Sequence, residues 1–148
     1  MCFSLYAGTV KPLPRKAWDK DIRGLSVNTL DQRDAQIISY FNLPEVQRIG
    51  STAGCGCDFP YVTLTKGAWV GYPEVIVDDP GWEKTELVNR EALVAMLIGS
   101  GEKMIELYGI WQDGESEKPV NVREEISLKR ILDSDFRFKE RGFYTVNL

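Results

Sequence analysis

Cys55-Gly56-Cys57 is the densest concentration of reactive side chains in the sequence. Two thiols separated by one glycine can chelate a soft metal ion, and Cys2 adds a third sulfur if its strand end comes close. The same pair can close a small, strained and easily reduced disulfide, which suits redox exchange rather than structure. Glycines at 50, 54 and 56 let this loop turn tightly, and its amides can form an anion-binding nest that lowers a thiol pKa. The plainer alternative is a pair of small apolar side chains plugging a tight turn under a sheet. The choice of metal follows from the ligand inventory. There is no histidine and there are only three cysteines, so a closed zinc site needs Asp58 or a second chain as fourth ligand. Copper(I) accepts fewer sulfurs and fits better.

The missing imidazole excludes more than a zinc ligand. Ser-His-Asp and Cys-His catalysis and a histidine pH switch are ruled out within one chain. Cys2 offers one other route, since removal of Met1 would expose a thiol and an α-amine as nucleophile and base. That start superficially resembles the Met-Cys-Gly opening of class II glutamine amidotransferase domains, but Phe3 stands in place of the glycine. Gly50-Ser51-Thr52-Ala53-Gly54 lacks the lysine of a P-loop and the spacing of a dinucleotide fingerprint. The pairs Asp31/Asp34, Asp78/Asp79 and Asp133/Asp135 sit at caps and turns, where short acids satisfy backbone amides. No catalytic residue is assigned, and the chain reads as leaning away from an enzyme.

The elements that must position these groups are legible in outline. With 148 residues, 43% hydrophobic and 27% charged, the chain is long enough for one domain that buries about two-thirds of its unfolded surface. Phe3, Leu5 and Ala7 alternate with Cys2, Ser4 and Tyr6, which predicts an opening strand. Leu25, Val27 and Thr29 alternate again, and Asp31 caps a short helix carrying Ile37, Ile38 and Phe41. Val46–Ile49 and Tyr61–Thr65 predict strands flanking the glycine loop, and Val75-Ile76-Val77 a brief buried one. A helix follows through Leu87–Ile98, capped by Thr85 or Asn89 and ended by Gly99 and Gly101. The last third predicts a meander with a turn at Asp113-Gly114, a short helical turn after Ser127, and a closing strand over Phe143–Val146. The order implies α+β: one domain over 1–148, a mostly antiparallel sheet, and about two helices on one face.

Several of these segments together resemble a family of short bacterial proteins with no assigned activity. The Met1-Cys2-Phe3-Ser4-Leu5-Tyr6 start with Pro12-Leu13-Pro14, the Val46–Ser51 segment, Gly54-Cys55-Gly56-Cys57, Glu106-Leu107-Tyr108-Gly109 and the Phe138–Val146 tail carry the resemblance. It spans most of the chain. It implies a bacterial, cytoplasmic source and transfers no site.

Charge and cysteine usage narrow the partners. Lys+Arg 18 against Asp+Glu 22 leaves −4, which disfavours nucleic acid or an anionic membrane. An odd cysteine count and an N-terminus without a signal-peptide pattern predict a reducing cytoplasm. By subtraction, the leading expectation is a small non-enzymatic module with no cofactor that docks a protein partner, as inhibitors, immunity proteins and adaptors do. Its surface would carry Trp18, Trp69, Tyr72 and Trp82. The other expectation is a thiol-centred copper or zinc site, or a redox protein, built on Cys55 and Cys57 with Cys2 and Asp58.

Overall fold

A computed structural model of the chain describes residues 2–71, 80–112 and 118–148. Its strands run β1 (Cys2–Thr9), β2 (Ser26–Asn28), β3 (Glu45–Gly50), β4 (Tyr61–Thr65), β5 (Ala68–Gly71), β6 (Met104–Gln112), β7 (Val122–Ser127), β8 (Phe138–Lys139) and β9 (Gly142–Asn147). Helix α1 spans Ala35–Ile38 and α2 spans Pro80–Gly99. Six strands form one sheet in the order β2-β3-β1-β6-β9-β7, antiparallel except where β7 lies parallel to β9. A smaller sheet, β5-β4-β8, is antiparallel between β5 and β4 and parallel between β4 and β8. The α+β class and the mostly antiparallel sheet are as the sequence implies.

Alternation along β1 builds the core. Phe3, Leu5 and Ala7 face one side with Ile49, Ile105, Leu107, Tyr144 and Val146. Helix α2 covers that side with Leu93, Val94 and Leu97, and the small sheet adds Phe59, Tyr61 and Phe138. The Phe3 and Tyr61 rings stack at 4.5 Å. On the opposite side Tyr6, Tyr108, Ile110 and Phe143 pack with Ile37 of α1. The two helices therefore divide between the faces rather than sharing one. The central strands carry large apolar groups on both sides, so both sides must be covered.

Two further expectations are adjusted. Helix α2 starts at Pro80, where a residue without an N–H costs nothing, so Thr85 and Asn89 lie inside it and do not cap it. The last third is not a meander, because β9 inserts between β6 and β7. Leu128–Leu132 forms a 3₁₀ turn, the short helical turn expected after Ser127. The Val75–Val77 strand, the Asp78/Asp79 pair and the Asp113-Gly114 turn lie outside the described residues. The other acidic pairs are structural. Asp31 and Asp34 form a reciprocal capping box, and Arg130 bridges Asp133 and Asp135. Among the described residues no helix is long and apolar enough to cross a membrane.

Candidate metal centre

Strand β3 ends at Gly50, where the chain must leave the sheet without losing contact with β1. A Cβ on Gly50 would lie 2.2 Å from Ser26 Oγ and 2.9 Å from Gly54 O, so only glycine permits this closeness. The next residues turn back on themselves. Gly54 N–H donates to Ser51 O at 2.9 Å, with Gly54 at φ +88°, and Ser51 N–H donates to Cys55 O at 2.6 Å. Gly56 N–H then donates to Phe3 O at 2.9 Å, beyond the last β3 pairing with β1. Phe59 N–H closes the loop onto Gly56 O at 3.0 Å. Residues 51–59 thus continue the β1 edge as an irregular loop.

Seating Gly56 against Phe3 brings its two neighbours to Cys2. The Sγ atoms of Cys2, Cys55 and Cys57 all lie within 4.8 Å of one another, and all three cysteines are free and half-buried. Cys57 N–H donates to Cys55 Sγ at 3.4 Å, which fixes the two sulfur-bearing residues against each other. A cavity of about 200 Å³ opens on Cys2 and Cys55 and is bounded by Ser4, Arg48, Gly50, Gly54 and Gly56. Among the described residues Arg48 is the one cation in that wall. It faces it because Arg48 pairs with Tyr6 and so shares the sheet face of Cys2.

The electrostatics of the cluster are those of thiols crowded together. Burial pushes the Cys57 thiol up to about 12, and its contact with Cys55 and the nearby Cys55 and Cys2 sulfurs act the same way. The Phe3 backbone works weakly in the opposite sense. Without a cation among them, three sulfurs this close cannot all carry charge. A thiophilic ion supplies that charge and displaces the protons.

The remaining expected residues are placed as follows. Asp58 is not a member of the sulfur group, and its Oδ2 accepts from Thr52 Oγ1 at 3.2 Å. Trp18 is 47% exposed, yet its Nε1 donates to Thr52 O at 3.1 Å and its ring lies against Gly54, so it braces the loop from outside. Trp69 is 39% exposed on β5, with Lys139 Nζ 5.8 Å from its ring centre. Tyr72 lies outside the described residues, as does the side chain of Trp82 within α2.

Two contributors escape a sequence reading. Asn89, one turn before the apolar run of α2, accepts from Thr52 N–H at 2.9 Å and donates to Thr52 Oγ1 at 3.1 Å. It is wholly buried and ties the loop to the helix. Arg48 was detectable only through its phase in β3. Comparison with protein-family models, curated proteins and solved structures finds no match to this chain.

Proposed function

We propose that this protein binds one soft metal ion, copper(I), through the thiolates of Cys2, Cys55 and Cys57. The observation that carries this reading is the convergence of three sulfurs from two distant segments to within 4.8 Å. An ion about 2.3 Å from each of three sulfurs needs S···S separations of about 4 Å. The cluster is therefore within a small adjustment of a trigonal site. Soft thiolates with no nitrogen or carboxylate partner suit copper(I), which takes three sulfurs readily, whereas zinc needs a fourth ligand that Asp58 does not offer here. Arg48 offsets part of the negative charge that three thiolates and a monovalent ion leave. The half-buried sulfurs and open cavity give the ion a route in and out by ligand exchange.

Geometry favours this over the other expectations. A redox pair needs only two sulfurs, whereas all three converge here. A docking role draws support from the exposed Trp18 and Trp69, but among the described residues neither lines the cavity given above for the loop.

The test is anaerobic copper(I) titration against a chromogenic chelator, with X-ray absorption on the loaded protein. One ion per chain, three sulfur neighbours, and a loss of affinity of at least about a hundredfold in each of Cys2→Ser, Cys55→Ser and Cys57→Ser is the expected result. Absence of stoichiometric copper, or a site that survives Cys2→Ser, overturns the proposal.

A further inference from the structure

The loop that carries the cysteines has a second wall. Thr52, Ala53 and Asp58 face a cavity of about 510 Å³ that shares no lining residue with the one at Cys2 and Cys55, completed by Lys84, Thr85 and Val88 of α2 and by Lys20 and Arg23 of the arm before β2. Local structure explains why these meet. Lys84 and Val88 lie four residues apart on one helix face, with Thr85 between them. Lys20 and Arg23 sit on a tight turn closed by Ile22 N–H donating to Asp19 O at 3.3 Å. That turn is held to the loop by Trp18 bonding Thr52.

The charge balance of this cavity is unusual for the chain. Among the described residues three cations line it against a single carboxylate, Asp58, whose Oδ2 already accepts from Thr52. Among the described residues, none of Lys20, Arg23 and Lys84 takes part in a salt bridge or a side-chain hydrogen bond. In a protein of net charge −4 with carboxylates to spare, cations that converge from two segments without pairing gain most from a shared anion. The volume lies within the range of small-molecule sites. Three separate positive groups with two hydroxyls nearby exceed what one carboxylate can use, and suit an anion with several oxygens.

We infer that this cavity binds a small phosphate-bearing molecule, with Lys20, Arg23 and Lys84 as charge partners and Thr52 and Thr85 as hydroxyl donors. The site stands apart from the thiolate centre and does not depend on it. Inorganic pyrophosphate is the probe, titrated calorimetrically into the full chain at low ionic strength, where such contacts are least screened. Saturable binding at one site per chain is expected. Lys20→Glu/Arg23→Glu and, separately, Lys84→Glu should each weaken it by about tenfold or more. Lys103→Glu/Lys129→Glu, the same charge change at exposed positions elsewhere, should leave it within about twofold. All five positions are exposed, and unchanged melting temperature and copper stoichiometry would show that fold and metal centre persist. Failure of pyrophosphate to saturate, or equal weakening by the control pair, overturns the inference, the latter by showing only diffuse attraction.

Discussion

Gly56 donates its backbone N–H to the carbonyl of Phe3 at 2.9 Å, and that one bond joins two segments more than fifty residues apart in sequence. It replaces the ladder bond that β3 no longer supplies and sets Cys55 and Cys57 beside Cys2. The contact leaves no space for a side chain. A Cβ at position 56 would lie 2.5 Å from Phe3 O, 3.1 Å from Phe3 C and 3.3 Å from Ser4 Cα, all backbone.

Gly56→Ala should therefore cost about 1–3 kcal/mol of stability and push the loop off β1. Chemical denaturation gives the first quantity and copper(I) titration the second. Weakened copper binding with all three cysteines intact is the expected outcome. Unchanged affinity would show that the loop seats itself without this bond.

Alkaline pH should destabilise the protein in two stages. Cys57 is raised from 9.0 to about 12, chiefly by burial. Tyr144, whose hydroxyl accepts the Lys139 N–H at 2.7 Å, is raised from 10.0, also chiefly by burial. Both groups bind a proton more tightly when folded, so their stabilisation is fully present below the unfolded values and is lost as pH rises above them. Urea midpoints of the apoprotein should be flat between about pH 6 and 8 and fall above the thiol value. In Cys57→Ser the fall should begin later, near the tyrosine value of 10.0.

Arg90 of α2 organises the segment between β7 and β8. Its guanidinium donates to the carbonyls of Ile131 and Asp133 at 2.9 Å and of Phe136 at 2.8 Å, with Glu86 at 3.6 Å. Arg90→Met strands these acceptors and should cost about 3–5 kcal/mol. Arg90→Lys should recover only part, because an ammonium cannot span the three carbonyls. Equal stability of the lysine variant and the parent in thermal melts would contradict this role.

Glu106 is a buried carboxylate near the start of β6, 2% exposed. It accepts from Asn42 N–H and Asn42 Nδ2 at 2.8 Å and from Leu43 N–H at 3.0 Å, stopping the chain after α1. Glu106→Gln turns one acceptor into a donor that faces other donors, at a cost of about 1–3 kcal/mol. Hydrogen exchange at the Asn42 and Leu43 amides should quicken more than elsewhere, which separates a local latch from general loosening.

Much of the fold is legible where neighbouring residues decide the outcome. The alternation of β1, the Asp31 cap and the strands flanking the glycine loop follow from period and turn chemistry, and each appears where its residues imply. Composition also gathered the ligand candidates, since a chain without histidine leaves sulfur as its only soft donor. Glu106 shows the limit of such reading: its alternation with Ile105 and Leu107 suggests a solvated face, yet that face is covered by α1 and Asn42.

What lies between distant segments had to come from tertiary structure. No local rule sets the distance from Cys2 to Cys55, because it depends on which strand lies beside β1 and where β3 stops. The division of the helices between two faces, the insertion of β9 beside β6, and the pinning of Thr52 by Asn89 are likewise long-range pairings. Their energies come from burial and hydrogen bonds that exist only once the chain has closed on itself. Residue types thus determined which chemistry was available to this protein, and packing decided which atoms share it.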